Sequence, residues 1–468
     1  ATLARSPSRG FVLGWLAGVV AMLGGYYWVV HLLQEFANFG LPMAVLGYLL
    51  LSLYQGLVLG VVVAVAVAIH RRWQVPNAVA LALALTAGEA FFPFLFPNYA
   101  GNALYRVPLL TQHVELFGMA GVSLLLGVVN GALVDLILVQ RGRGAAHVPL
   151  AIALASLGAV AIYGAIRIAQ VDADLEGAET MRVALVQANV GARASSDEKD
   201  EMVLVHREMT RDVAREHPDL DLVVWPESSY NRFIPRDKTD LASVNGYITV
   251  PLLFGAVTGN IGSGEREIYN SAVLTSSTGA LASRFDKVEL LMFGETIPFV
   301  ESVPQIREWF PRSSTFTRGK TFEHLVFDDV ELLPMICYED IIPSFVQKIW
   351  SKAGPADVLV NITNDSWYGD SHEPLIHLAL ATFRSIETRR ALIRSTNTGI
   401  SALIDPVGRI VKRTGQWTRE TLVGDVPLIK DGSSTLFMKT GDVAGAFSAL
   451  VCLVGILVPR RRPSSFSS

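Results

Sequence analysis

Cysteine is nearly absent from this chain: its 468 residues include only Cys337 and Cys452. Two thiols cannot form a disulfide framework, and their contexts argue against pairing. Cys337 ends a strand-like run, whereas Cys452 lies inside an apolar helical pattern. Charge is also scarce, at 18% of residues with a net of −4, and no stretch mixes arginine with aromatics, so a nucleic-acid partner is excluded. Metal-ligand spacing is missing too. His372 and His377 are five apart, which does not place them on one helix face, and there is no compact Cys/His set. The glycine-rich stretch 259–264 lacks the Lys-Ser/Thr of a phosphate loop and reads as a surface turn between strands.

Apolar residues make up 51% of the chain, and mean hydropathy is +0.38, too high for an ordinary soluble enzyme. A helix crossing the hydrocarbon core needs roughly 20 mostly apolar residues. Residues 11–33, 43–69, 78–96, 117–139 and 148–169 meet that length, and 443–458 form a shorter uncharged run. Basic residues fall in alternate connections: Arg5 and Arg9, Arg71 and Arg72, Arg141 and Arg143, then Arg460, Arg461 and Arg462. Because Lys and Arg are retained on the cytoplasmic side, this alternation places the region after residue 170 outside the cytoplasm. The expected organisation is a transmembrane domain over 1–175, an extracytoplasmic domain over 181–438, a returning helix over 442–459 and a basic tail over 460–468. Glu89, Glu115 and Asp135 lie within or near spans; they could line a lipid or proton path, or pair with a neighbouring helix.

Between the apolar ends, short β-branched runs at 182–187, 222–225, 253–257, 272–275, 332–336, 358–362, 392–395 and 402–404 alternate with helical patterns at 200–216, 342–353 and 374–389. This is the pattern of a layered α/β domain. Chemistry sits where the strands end. Trp225-Pro226-Glu227 puts a carboxylate past one apolar strand, Ile336-Cys337-Tyr338-Glu339 puts a thiol past another, and Asp286-Lys287 offers an amine between them. A thiol attacks as thiolate, so it needs a base for its proton and a cation to hold charge. Taken singly, such a cysteine is core filler, such a glutamate a cap and such a lysine solvated surface. Order, spacing and flanking residues together point to chemistry instead.

With those flanking residues, the domain resembles the nitrilase superfamily, whose Glu-Lys-Cys triad occurs in this order. The matching segments include Ala184-Leu185-Val186-Gln187-Ala188-Asn189, Trp225-Pro226-Glu227-Ser228, Asn270-Ser271-Ala272, Phe293-Gly294-Glu295, Asn361-Ile362-Thr363-Asn364-Asp365-Ser366-Trp367-Tyr368 and Asn397-Thr398-Gly399-Ile400-Ser401. Together with the membrane helices and Leu110-Thr111-Gln112, the whole chain is similar to the apolipoprotein N-acyltransferase family. That resemblance implies a multi-span helical membrane domain joined to an α/β nitrilase-type four-layer αββα sandwich. It makes Glu227 the general base, Lys287 the transition-state stabiliser and Cys337 the nucleophile. Glu295 would orient Lys287 or the substrate, Tyr338 and Glu339 would support the nucleophile's loop, and Asn364, Asp365 and Trp367 would shape the pocket.

The implied reaction is ping-pong acyl transfer in the bacterial inner membrane, from a phospholipid donor through a cysteine thioester to a diacylated apolipoprotein, with no cofactor and no metal. A membrane-tethered amidase or nitrilase-type hydrolase, with water as acceptor, is the alternative, and a non-enzymatic membrane scaffold a third. Some features depart from the family. Glu289 stands where it often has His, Met292 where it has Pro, no tryptophan follows the first strand, and the chain begins in what resembles the third span. The resemblance therefore implies a chain shortened at its start or a compact variant. Leu290, Leu291, Met292, Phe293, Trp309, Phe310 and Phe345 read either as a lipid-facing wall or as core, and Arg384, Glu387 and Arg390 as an ion network on one helix.

Overall fold

The computed structural model describes residues 6–140, 147–191, 196–260, 267–291, 294–296, 305 and 316–458. Arg5, Arg141, Arg143, Arg460, Arg461, Arg462, Met292, Phe293, Trp309, Phe310 and most of the glycine-rich stretch lie outside them. The chain divides into two compact units: Ala1–Tyr27 with Tyr48–Ile168 and Thr440–Ser468, and Trp28–Gly47 with Ala169–Lys439.

The N-terminal helices are α1 (Pro7–Gly25), α2 (Val29–Phe36), α3 (Leu41–Trp73), α4 (Asn77–Phe91), α5 (Val114–Gln140) and α6 (His147–Leu175). Four of these, α1, α3, α5 and α6, are long and apolar enough to cross a membrane. Helix α4 and the C-terminal helix Val443–Leu457 are apolar but have 15 residues each, which is about 22 Å of helix. Two expected spans differ from the observed helices. The run 11–33 breaks after Gly24-Gly25, where the Tyr26 N–H closes on Met22 O at 2.9 Å, and α2 belongs to the other unit. The run 78–96 shortens because Pro93 holds Phe92 in an extended conformation (φ −70°, ψ 130°).

Within this unit, α1 turns Gly14 and Gly18 onto α3. A Cβ would lie 2.4 Å from Leu59 O at the first and 2.3 Å from Gly56 O at the second, so only glycine allows the approach. All three acidic residues pair locally. Glu115 meets Arg167 at 2.6 Å and also binds Tyr163, and Glu89 accepts from Ala100 N at 2.8 Å and from Ser123. Asp135 accepts from Asn77 Nδ2 at 2.6 Å and from Ala78 N at 3.2 Å, tying α5 to the start of α4.

The other unit is built on two sheets. The first takes β1 (Thr180–Gln187), β2 (Leu222–Val224), β3 (Tyr230–Pro235), β4 (Leu252–Asn260), β5 (Glu267–Thr275), β6 (Leu281–Asp286) and β13 (Glu420–Pro427), in the order β13-β1-β2-β4-β5-β6 with β3 beside β4. The second takes β7 (Leu325–Phe327), β8 (Val330–Ile336), β9 (Val358–Thr363), β10 (Leu392–Thr396), β11 (Ala402–Ile404) and β12 (Ile410–Arg413), in the order β12-β11-β10-β9-β8-β7. Side-chain alternation explains the layers. Val183, Leu185, Leu222, Val224 and Leu253 enter one core with Leu332, Ile336, Val358 and Leu392 of the second sheet. Their neighbours Ala184, Val186, Val223, Trp225 and Phe254 face the opposite way, into a core with Val213 and Val244 of α7 (Ser196–Glu216) and α8 (Ala242–Asn245). Helices α9 (Pro343–Ala353) and α10 (Glu373–Thr388) cover the second sheet, completing the αββα sandwich. Phe345 is part of this core, packed edge-on against Phe285, rather than part of a lipid-facing wall.

Strands β1–β2–β4 are mutually parallel, as are β8–β9–β10. Strand β6 returns to the direction of β4 through two antiparallel pairings. The ends of β2 and β6 therefore share one edge of the first sheet, and β8 ends in the second.

Candidate active site

Glu227 follows β2 in a tight turn. Pro226 O accepts from Gly255 N at 3.2 Å, and Ser228 sits at φ +57°. A Cβ at Gly255 would lie 2.5 Å from Glu227 Cα, so glycine there lets β4 run directly beneath the turn. Lys287 is the first residue past β6. Its N–H donates to Asn270 O at 2.8 Å, and its carbonyl accepts from Gly319 N at 2.8 Å. The side chain is 1% exposed, and its ammonium donates to Glu227 Oε1 at 3.2 Å and Glu295 Oε1 at 2.9 Å, with Glu295 Oε2 at 2.8 Å. Asn270 on β5 spans the same carboxylates, donating to Glu227 at 2.7 Å and Glu295 at 2.9 Å. Glu295 is further held by Leu291 N at 2.9 Å. Burial pushes Glu227 above the usual carboxylate range, opposed by the Lys287 charge and reinforced by Glu295. Burial also disfavours the Lys287 ammonium, yet the two glutamates outweigh it and lift Lys287 well above its ordinary value.

Cys337 is the first residue past β8, with φ +54°. A left-handed conformation costs a non-glycine residue about 1–3 kcal/mol, so the surroundings must over-determine it. The carboxylate of Glu339 accepts from Ile336 N at 2.8 Å and, across the site, from Val288 N at 2.7 Å and Glu289 N at 2.9 Å. One side chain thus fixes the Cys337 turn to the segment after Lys287. Burial lifts Glu339 to about 8 against these donors. Asn361 Nδ2 donates to Cys337 O at 3.2 Å and Met335 O at 3.3 Å. The thiol is buried, and that burial, with the charges of Glu227 and Glu295, pushes it well above its ordinary value, against Lys287 and a hydrogen bond with Thr363. A thiol shifted in this direction needs a base to become the attacking thiolate. Tyr338 is partly buried against the inter-sheet core.

The remaining expected residues take separate places. Asn364 caps its own turn, accepting from Ser366 N at 3.3 Å and Ser366 Oγ at 2.7 Å. Asp365 turns inward, 3.2 Å from Arg394 Nη2 and 3.0 Å from His377 Nδ1. Trp367 is half-buried. Tyr368 is buried edge-on against Trp28, with ring centroids 5.2 Å apart. Burial, then the charges of Glu373 and Cys337, pushes its phenol well above its ordinary value. Asp365, Glu373 and His377 place three ligand-type atoms within 4.8 Å. Both His377 nitrogens face carboxylates, Nδ1 that of Asp365 and Nε2 that of Asp340. Arg384 pairs with Glu387 at 2.8 Å. Arg390 does not join them: α10 ends at Thr388, Arg389 turns left-handed, and Arg390 reaches Ala356 O at 2.5 Å and Asp431 at 3.2 Å.

Residues 182–430 match the carbon-nitrogen hydrolase family, and residues 1–132 match the apolipoprotein N-acyltransferase N-terminal domain. An apolipoprotein N-acyltransferase of Geobacter metallireducens is 30% identical over 480 residues, an alignment that spans 98% of this chain and 88% of the relative. The chain belongs to the apolipoprotein N-acyltransferase family. A relative of the same name from Bdellovibrio bacteriovorus is 27% identical, across 93% of this chain and 83% of its own. Among solved structures, a Saccharomyces cerevisiae member of branch 10 of the nitrilase superfamily is similar at 18% identity and a TM-score of 0.40, covering 61% of this chain and 97% of that one.

In this apolipoprotein N-acyltransferase family member, several residues around the site carry no sign of their contacts in the sequence, although Asn270 and Asn361 fall within the matching segments. Asn270, Asn361 and Arg394 are mid-strand polar residues, and His377 is one histidine on a helix. A polar residue inside an otherwise apolar strand is the trace of the first three, and all four are 0–4% exposed and must find a buried partner.

Proposed function

We propose that this chain transfers an acyl chain from a membrane phospholipid, through a thioester on Cys337, to the N-terminal amino group of the diacylglyceryl-cysteine of apolipoproteins. Family membership makes it an acyltransferase. The observation that carries the site assignment is the buried Lys287 ammonium, held between Glu227 and Glu295, with the Glu339 carboxylate tying the segment after Lys287 to the Cys337 turn.

In the first half-reaction, Glu227 takes the thiol proton as sulfur attacks the ester carbonyl. The oxyanion forms near the Tyr338 N–H and the Lys287 ammonium. Collapse expels the lysophospholipid oxygen, which takes the proton from Glu227, and leaves the thioester. In the second half-reaction the acceptor amine attacks the thioester, Glu227 accepts its proton, and the thiolate leaves with the amide formed. Glu227 then returns the proton to sulfur. Burial makes Glu227 a stronger base than an ordinary carboxylate, the direction its role in taking and returning these protons requires.

Alternation of basic residues between the apolar runs supports a place in the bacterial inner membrane with the catalytic domain outside the cytoplasm. The test is to incubate the full chain with phospholipid vesicles and a diacylated lipopeptide. Mass spectrometry should show an acyl adduct on Cys337 with phospholipid alone and an amide once the lipopeptide is added. A Cys337→Ser protein that still acylated the lipopeptide would sink the mechanism, and free fatty acid without amide would mark a hydrolase instead.

A further inference from the structure

We propose that His377 is a positioning residue for the Cys337 nucleophile, acting as a buried imidazolium that ties Asp340, in the nucleophile's own turn, to Asp365 on the neighbouring turn. This rests on the acyl-transfer reading above. Asp340 lies three residues past Cys337 in the turn Cys337–Ile341. Both of its oxygens are gripped: Oδ1 lies 2.7 Å from His377 Nε2, and Oδ2 accepts from Arg394 Nη1 at 2.6 Å. The same two cations continue to Asp365, with His377 Nδ1 at 3.0 Å from Oδ1 and Arg394 Nη2 at 3.2 Å from Oδ2. Two carboxylates and two cations thus close a ring, each member at most 3% exposed, joining two turns, α10 and β10.

The charge of His377 follows from this geometry. Each ring nitrogen faces only a carboxylate oxygen, and both carboxylates also accept from Arg394, so each nitrogen must donate. Burial and Arg394 oppose that state, but Asp340 and Asp365 outweigh them and lift His377 to about 10. The ring is then electrically balanced. Glu373 faces it from the start of α10, and Tyr368 from the turn that carries Asp365. Burial raises Glu373 to about 8, so below that pH it is largely protonated and adds no charge. The ring also reaches the nucleophile's backbone: Arg394 Nη1 donates to Asn361 Oδ1 at 2.7 Å, and Asn361 Nδ2 holds the Cys337 carbonyl at 3.2 Å. Removing the imidazolium leaves an uncompensated buried carboxylate three residues from Cys337. The turn relaxes, and with it the left-handed conformation that aims the sulfur.

The test compares His377→Gln, Asp340→Asn and their double variant with wild type, as full chains with phosphatidylethanolamine vesicles. Expected for each single variant is an at least tenfold slower burst of lysophospholipid, with the KM for phospholipid changed by less than twofold. The double variant should be no slower than the slower single, because both changes open the same ring. An unchanged burst, a raised KM with an intact burst, or effects that multiply would each overturn the proposal. Asp365→Asn supplies an independent break should His377→Gln fail to fold, and the same selective loss is expected. If wild type itself releases no lysophospholipid, the acyl-transfer reading fails separately. Alkylation of Cys337 by iodoacetamide then carries this test: it should be at least tenfold slower in the variants, and equal rates would refute the positioning role.

Discussion

Glu295 bears on the acidity of its neighbours as much as on their position. It adds to the burial that raises Glu227, so removing its charge should lower the Glu227 value. The base acts when deprotonated, so activity rises as pH climbs through that value. Glu295→Gln is therefore expected to move the acidic limb of the burst-rate profile to lower pH, and a limb that moved upward or stayed fixed would contradict the assignment. At Gly255 the issue is steric. A Cβ 2.5 Å from Glu227 Cα cannot be relieved by a side-chain rotation, so Gly255→Ala should cost about 1–3 kcal/mol and misplace Glu227. A melt with an unchanged midpoint and full activity would count against it. Strand-end position marks Glu227 and Cys337 in the sequence, whereas Lys287 is marked by its place between them and by the resemblance, because β6 does not read as a strand. Asn270 is marked in the sequence only as part of the matching segment Asn270-Ser271-Ala272, and its amide spans both glutamates only because β5 lies between β4 and β6.

Among the elements, the most apolar and the most strongly alternating segments are the ones legible in the sequence. Strands β1, β2, β4, β5 and β8 to β11 were readable, but β3, β6, β7, β12 and β13 were not. The second group is largely at sheet edges or of mixed polarity, as in Leu281-Ala282-Ser283-Arg284-Phe285-Asp286 and Ile410-Val411-Lys412-Arg413, where solvent removes the need for an apolar face. Strand β6 matters most, since it delivers Lys287. Helix α2 is a second case. Its residues look like the end of a span, yet Trp28, Val29 and Leu32 are buried in the unit that holds the sheets, with Trp28 against Tyr368. Trp28→Ala should release this helix at a cost of about 3–5 kcal/mol, seen as faster proteolysis on either side of residues 29–36. Unaltered cleavage there would argue that the packing is incidental.

At the scale of the whole molecule, buried acids set how stability responds to pH. Glu339 and Glu373 are each raised to about 8 in the fold, largely by burial. A group whose folded value exceeds its unfolded value contributes stability below the unfolded value and loses it as pH rises through the folded one. The thermal midpoint should therefore fall between pH 6 and pH 9, and Glu373→Gln should flatten that fall by about 5 °C. A midpoint that rose over this range would show that the two acids are not buried as described. Apolar run length and the period-two alternation of the inner strands are properties of neighbours along the chain, so the sequence alone determined the presence of membrane-type helices and a layered α/β domain, and it put a thiol, a carboxylate and an amine in the order the resemblance requires. Which unit α2 joins, the left-handed turn at Cys337, the inward direction of Asp365 and the charge of His377 were decided only by the tertiary structure. Each depends on burial and on partners distant in sequence, and neither exists until the two sheets have packed.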